Sequence, residues 1–232
     1  MSDPSITWLT HYQVRLALHC LRQASADVSA VSGSEAGHPL LLLHGLGEAS
    51  PIAVPAYAVD WPGSVHALDF TGHGLSTVPA GGGYSAEILL ADADSALAAL
   101  TENFAKVTVV GRGLGGYIAL LLAGARATQV HGVVIADGPG LTGGAIGPTS
   151  QSFVALTPRL QPPDAYALFE MSRDLRPPDY ATLFVRLALD GSALEEPITV
   201  AAIVRPPWLA AVAGEVGVGV SSVSEALASY SS

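Results

Sequence analysis

Residues 107–123, VTVVGRGLGGYIALLLA, constrain the fold of this chain more than any other stretch. A short run of β-branched residues is followed by a turn rich in glycine and then by an apolar segment of helical length. The pattern predicts a buried strand, a tight turn and a helix in direct succession. Because the first amides of a helix have no partners within the helix, such a turn is a candidate functional site.

Strands and helices alternate along residues 39–137. Residues 39–43, 64–70 and 132–136 are predicted as buried strands, and Ser85 as the N-cap of an intervening helix. This alternation predicts an α/β fold with a doubly wound, mostly parallel sheet. Half of the residues are hydrophobic, which suits parallel strands that are buried on both faces.

The chain is expected to form a core at 1–140, a small helical cap at 141–200, and a last core strand with a C-terminal helix within 201–232. The last strand is predicted at 208–214. Only 18 residues follow it, so the sheet is predicted to be shortened at its C-terminal end. A shortened sheet leaves an open edge, which predicts a homodimer or a protein partner.

The predicted cap contains a short internal repeat, PPDAYALF at 162–169 and PPDYATLF at 177–184. Each copy predicts a short helix, with Asp164 and Asp179 as the respective N-caps. The two helices form either a lid over a site or a pair of ordinary packing helices. Their predicted apolar faces comprise Leu168, Phe169, Met171, Leu183, Phe184 and Leu187.

Charge and composition exclude several classes of partner. The formal net charge of −10 argues against nucleic acid and against anionic membrane surfaces. Every long apolar stretch is interrupted by charged residues or proline, so none provides the roughly 20 residues of a membrane span. No signal peptide is evident at the N-terminus, and a cytoplasmic location is expected.

Three motifs, in order along the chain, resemble those of the α/β-hydrolase fold family. LLLLHGLGE at 40–48 resembles the strand and His-Gly loop that supplies one amide of the oxyanion hole. HALDFTGHGLS at 66–76 resembles the D-x-x-G-x-G-x-S loop of the family. VVGRGLGGYIA at 109–119 lies where the G-x-S-x-G nucleophile elbow belongs. The resemblance implies an α/β-hydrolase-like sheet.

The resemblance also implies that the catalytic triad is incomplete. The nucleophile position falls on Gly113, and glycine has no side chain that could attack a carbonyl. The family's general base is a histidine late in the chain, but no histidine follows His131. Asp137 and Glu215 are the candidates for a vestigial acid, which has no triad role without a histidine. The elbow favours φ > 0, so Gly113→Ala is expected to destabilise the protein by about 1 kcal/mol.

Other parts of the implied site are retained. The resemblance assigns the backbone amides of Leu46 and Leu114 to the oxyanion hole, because backbone donors do not depend on the missing side chain. His44, Gly45 and Arg112 are the candidate ligand-binding residues. Arg112 either holds an anionic ligand or forms a salt bridge with a nearby carboxylate.

Three functional hypotheses follow. The first is a pseudo-hydrolase that binds a small apolar ligand or a protein partner. The second is a weak or unorthodox esterase. The third is a dinucleotide-binding protein, since Gly111, Gly113 and Gly116 fit G-x-G-x-x-G and Asp137 ends the next strand. No metal site and no cofactor are expected.

Overall fold

A computed structural model describes residues 5–11, 13–24, 37–143 and 161–231. Its strands are Ser5–His11 (β1), Val14–Arg22 (β2), Leu40–Leu43 (β3), Val65–Leu68 (β4), Val107–Arg112 (β5), Val130–Ala136 (β6), Ile198–Val200 (β7) and Val218–Val220 (β8). They form one sheet in the order β1-β2-β4-β3-β5-β6-β7-β8. Strand β2 is antiparallel to β1 and β4, and every other pair is parallel.

The helices cover both faces of this sheet. They are Ala86–Thr101 (α1), Leu114–Ala125 (α2), Ala165–Met171 (α3), Pro178–Gly191 (α4), Pro207–Ala213 (α5) and Val223–Tyr230 (α6). Helices α1, α2, α4 and α5 contribute to a large core on one face. Helix α6 and a short 3₁₀ turn contribute to a second core on the other face. The predicted doubly wound, mostly parallel sheet is therefore confirmed.

The C-terminal third departs from the prediction. Residues 208–214 belong to helix α5 and its C-cap, with Trp208, Leu209 and Val212 buried at helical spacing. Strands β7 and β8 have three residues each, which is too short to produce a recognisable alternating pattern. Within the described residues the sheet has eight strands, so the expected shortening is wrong. The homodimer inferred from it stays a prediction, and the outer strands of the sheet are β1 and β8.

The predicted cap helices exist as α3 and α4, while residues 144–160 of the cap lie outside the described part of the chain. Asp164 caps α3, as predicted, by accepting a hydrogen bond from the Tyr166 amide at 3.3 Å. Asp179 is not a cap, because Pro177 precedes the helix and Asp179 lies in its first turn. Helix α4 packs directly on α2, where a Cβ on Gly124 would lie 2.7 Å from the Phe184 carbonyl oxygen.

The predicted apolar faces of these two helices are partly wrong. Leu168, Leu183 and Leu187 are exposed, and of the predicted residues only Met171 is fully buried. The buried positions are instead Ala167, Ala181, Thr182, Val185 and Ala188. Small side chains allow the close approach of helices that bulky ones would prevent. The packing therefore favours ordinary packing helices over a lid.

Candidate functional site

The turn between β5 and α2 is tight, and Gly113 lies at its centre, at the position that the resemblance assigns to the nucleophile. Gly113 lies at the turn with φ 59° and ψ −122°, which an L side chain adopts only at a cost. Strand and helix are in direct contact on either side of it. A Cβ on Gly111 would lie 2.2 Å from the Gly115 carbonyl oxygen, so no side chain fits there.

The two predicted oxyanion-hole amides converge on one atom of the protein itself. The amides of Leu46 and Leu114 both donate to the carbonyl oxygen of Pro139, at 3.0 and 2.9 Å. Both distances are those of normal hydrogen bonds. The two amides thus point at one acceptor, which is a backbone carbonyl of the protein; their role as an oxyanion hole stays a prediction.

The segment that carries this carbonyl, residues 138–141, is called the plug segment below. Its close fit depends on glycines on both sides of the contact. A Cβ on Gly113 would lie 2.1 Å from the Pro139 carbonyl oxygen. A Cβ on Gly138 would lie 2.8 Å from the Gly113 nitrogen, and one on Gly140 would lie 2.6 Å from Leu46 Cβ. A serine at position 113 and the plug segment therefore cannot occupy these positions together.

Two buried side chains, Arg176 and Trp208, hold the plug segment by hydrogen bonds to its backbone carbonyls. The Arg176 guanidinium donates through Nη1 to the carbonyl oxygens of Gly140 and Leu141, the latter at 2.8 Å. Trp208 on α5 donates through Nε1 to the same Leu141 oxygen at 2.9 Å. The Arg176 guanidinium also lies 4.7 Å from the centre of the Tyr117 ring on α2. The plug segment is thus tied to both α2 and α5.

The Arg112 guanidinium is bound by a carboxylate of the protein itself. Its Nε and Nη2 donate to the two carboxylate oxygens of Glu48, each at 2.8 Å. Glu48 also accepts the Gly45 amide at 3.0 Å. The hydrogen bond from Arg112 is the main reason that the pKa of Glu48 lies below its usual value. Of the two alternatives for Arg112, the salt bridge is correct.

His44 is a buried structural residue. Its Nδ1 donates to the Gly45 carbonyl at 2.8 Å, and its Nε2 accepts the Phe70 amide at 3.1 Å. Both ring nitrogens are therefore used within the protein, with the proton on Nδ1. Burial and then the neighbouring His73 lower the pKa of His44 to about 4. These contacts leave the ring no free nitrogen for a ligand, so they give no support to the predicted ligand-binding role of His44, which stays a prediction.

His73 ties the two neighbouring loops together in the same way. Its Nε2 accepts the Gly47 amide at 3.1 Å, and its Nδ1 donates to the Thr71 carbonyl at 3.1 Å. Burial lowers the pKa of His73 as well. The two imidazoles lie 5.1 Å apart, so a positive charge on one disfavours a charge on the other.

Acid should therefore weaken the fold through His44. The unfolded chain binds a proton at the ordinary pKa of 6.5, whereas the folded ring does so only at about 4. His44 therefore does not lower the free energy of unfolding above about pH 6.5. As the pH falls toward 4, the free energy of unfolding decreases, and at pH 5 it has already fallen by about 2 kcal/mol. Urea unfolding of His44→Gln should show a smaller loss between pH 7.5 and 5 than the unchanged protein. His11→Gln, on β1, is the control, and an equal loss in all three proteins would contradict the assignment.

A cleft of about 440 Å³ lies beside the plug segment, at the carboxyl ends of the central strands. Its wall includes the side chains or backbone of Leu46, Asp137, Gly138, Gly140, Leu141, Thr142, Gly143, Ser172 and Val204. Clefts of this volume accommodate small molecules. Gly45, predicted to bind a ligand, is not part of this wall, and a Cβ there would lie 2.9 Å from both Glu48 and Pro139.

The family profile described as "Alpha/beta hydrolase family" matches residues 40–219, from β3 into β8. The chain belongs to the alpha/beta hydrolase family. No curated protein matches it significantly. Among solved structures, a membrane phospholipase A described as a bacterial virulence factor aligns with 95% of this chain and 77% of its own, at 18% identity and a TM-score of 0.52. At this identity, the similarity shows the fold alone.

Other solved alpha/beta hydrolases align over shorter stretches. The thioesterase domain of the curacin biosynthetic pathway is 21% identical over 58% of this chain, with a TM-score of 0.46. Est816, described as an enzyme that degrades N-acyl homoserine lactones, is 26% identical over 59% of the chain, with a TM-score of 0.44. The chain spans 44% and 47% of the lengths of these two proteins.

In this member of the alpha/beta hydrolase family, the two candidate acids lie at opposite ends of the parallel strands. Asp137 follows β6 at the same end as the elbow, and its carboxylate accepts the amides of Ile203 and Val204 at 2.7 and 3.0 Å. Glu215 precedes β8 and therefore lies at the other end, with Arg186 at 3.5 Å. Glu215 is thus not part of the site, and Asp137 is the acid that lies near it.

The start of α2 leaves no amide for a phosphate. The amides of Leu114, Gly115 and Gly116 all donate to carbonyl oxygens of the protein, at 2.9, 3.2 and 3.1 Å. A dinucleotide-binding turn requires free amides that face the pyrophosphate. The glycines instead allow strand and helix to touch, so the geometry contradicts the dinucleotide hypothesis.

Residues that close the site carry no recognisable sequence motif. Pro139, Arg176 and Trp208 lie far from the family motifs, and only the glycines on either side of Pro139 hint at a tight backbone contact. In the described part of the chain, no group of three His, Cys, Asp or Glu side chains could hold a metal ion. Within the same residues, no helix has the length and apolar character needed to cross a membrane.

Proposed function

We propose that this chain is a non-catalytic member of the alpha/beta hydrolase family that binds a small apolar ligand. The observation that carries the proposal is the Pro139 carbonyl oxygen, which accepts both oxyanion-hole amides. A hydrolase needs these donors free for the oxygen of its tetrahedral intermediate. Here they are already satisfied, and the glycine at position 113 is what allows the carbonyl to approach.

The expected rate factors favour a non-catalytic protein over a weak hydrolase. Loss of the triad costs about 10⁶ in rate, and the oxyanion hole and substrate binding ordinarily retain about 10³–10⁴ over water. A filled oxyanion hole removes most of that remainder. The alternative of a weak esterase therefore requires the plug segment to move away, which would break the two hydrogen bonds to Pro139.

Ligand binding is supported by the cleft next to the plug segment. Leu46, Leu141 and Val204 give it apolar walls, and several glycines leave room between them. Ligand pockets are typically apolar with a few polar residues, here Asp137, Thr142 and Ser172.

Two measurements on the same preparation test the proposal. Hydrolysis of p-nitrophenyl acetate, butyrate and hexanoate should not exceed that of the urea-unfolded protein, which controls for unspecific catalysis by histidines. Saturation-transfer NMR with 1-hexanol should show binding to the folded protein. Saturable ester turnover by the folded protein alone would establish the weak esterase, and absence of hexanol binding would remove the ligand-binding role.

A further inference from the structure

Asp137 is the one charged residue among the described residues that line the cleft. Each of its carboxylate oxygens accepts a single backbone amide, from Ile203 and Val204. An ionised carboxylate offers about four acceptor positions, so about half of its hydrogen-bonding capacity is unused. The remaining positions are available to a donor on a ligand.

The arginines beside the cleft have partners within the protein. Arg205 follows the cleft residue Val204 and donates to the Ala202 carbonyl at 3.3 Å. Arg173 follows the cleft residue Ser172, and its guanidinium lies 3.9 Å from the centre of the Phe169 ring.

Arg112 is held by both oxygens of Glu48. Arg176 lies behind the plug segment with its side chain only 1% exposed, and it donates to backbone carbonyls there. Neither Arg112 nor Arg176 is among the described residues that line the cleft. Arg112 interacts electrostatically with Asp137, but its charge is largely compensated by the hydrogen-bonded carboxylate of Glu48. A carboxylate ligand would therefore meet Asp137 as the one charged group of the described cleft wall.

The loop that binds Asp137 also provides an apolar rim. Ile203 and Val204 are 89% and 61% exposed, although both are large aliphatic residues. Val204 lines the cleft itself. An apolar chain that lay against this rim would place a polar head group close to the carboxylate, because the same two residues hold the carboxylate in position.

From these contacts we infer that the cleft selects amphiphiles whose apolar chain carries an ammonium or hydroxyl group, and that it rejects carboxylates. The inference rests on the proposed function, because it presupposes that the cleft binds a ligand. Asp137 then acts as a specificity-determining residue: it accepts a hydrogen bond from the head group and repels an anion. Thr142 and Ser172 also line the cleft, and the Ser172 hydroxyl donates to the Phe169 carbonyl at 2.9 Å.

A matched series of six-carbon ligands tests the selection. Dissociation constants for hexylammonium, 1-hexanol and hexanoate are measured by NMR titration at low and high ionic strength. At low salt, hexylammonium should bind about tenfold more tightly than hexanoate, since one charge pair near a protein surface is worth about that factor. High salt should reduce the ratio, because ions screen exposed charges.

Asp137→Asn should bring the dissociation constants of hexylammonium and hexanoate to within about threefold of each other. Asp94→Asn is the matched control: it makes the same change in net charge, but Asp94 pairs with Arg126 on a different surface. The tenfold ratio should persist in Asp94→Asn.

The outcomes separate the two proposals. If none of the three ligands binds, the ligand-binding function itself fails. If hexanoate binds as tightly as hexylammonium to the unchanged protein, the selection is wrong while the function stands. If the ratio disappears in Asp94→Asn, net charge and not Asp137 causes it. The salt dependence of the unchanged protein decides the matter should Asp137→Asn not fold.

Discussion

Gly113→Ser should lower the free energy of unfolding by about 3 kcal/mol and should not restore hydrolysis. The positive φ costs a side chain about 1 kcal/mol, and the clash with the plug segment adds about 2 kcal/mol, as for other overpacked sites. A Cβ at this position would lie 2.1 Å from the Pro139 carbonyl oxygen. The backbone angle alone predicts only the smaller value, so the structure raises the expected effect of Gly113→Ala as well.

The control for this prediction is Gly81→Ser. Gly81 also has a positive φ, 91°, but a Cβ there would meet nothing within 4 Å. Urea unfolding of both variants separates the cost of the backbone angle from that of the clash. An equal decrease in the free energy of unfolding of the two variants would mean that a side chain at position 113 does not clash with the plug segment.

Arg176→Met should lower the free energy of unfolding by about 3 kcal/mol, because one partner of a buried ion pair is removed while the other remains. Asp174 Oδ2 lies 3.7 Å from Arg176 Nε, and burial raises the pKa of the Asp174 carboxyl. The Gly140 carbonyl also loses the Arg176 donor, and the Leu141 carbonyl keeps only Trp208 Nε1. Methionine keeps much of the side-chain volume, so the loss reflects polar contacts more than a cavity.

The readout specific to the plug segment is hydrogen exchange. The amides of Leu46 and Leu114 are protected by the Pro139 carbonyl, and in Arg176→Met they should exchange more than about tenfold faster than in the unchanged protein. Arg126→Met is the control, since its exposed pair with Asp94 is worth at most about 1 kcal/mol. Unchanged exchange at Leu46 and Leu114 would show that Arg176 does not hold the plug segment.

Local sequence patterns predict the central part of this fold. The leucine run of β3 and the valine-rich β5 are buried on both faces, and such strands read as continuous apolar runs. The Ser85 cap predicts the start of α1, and its hydroxyl accepts the Ile88 amide. These signals are local because neighbouring residues along the chain produce them.

The C-terminal strands and the helix faces are not predictable in this way. Strands β7 and β8 form because each pairs with a neighbouring strand, β7 with β6 and β8 with β7. The intrinsic strand preference of three residues is too weak to specify them. On α4, alanines are buried while Leu183 and Leu187 are exposed, because α2 comes too close for larger side chains. Both features depend on partners far away in the sequence.

The sequence by itself determined the strand, turn and helix within residues 107–123, and its resemblance to the family singled out Gly113 and the amides of Leu46 and Leu114. Only the tertiary structure decided what those amides bind. Pro139 follows a different strand, and its carbonyl reaches Leu46 and Leu114 because β6 lies next to β5 in the sheet. Every residue has a backbone carbonyl, so no pattern of residue types could reveal that this one accepts the two amides.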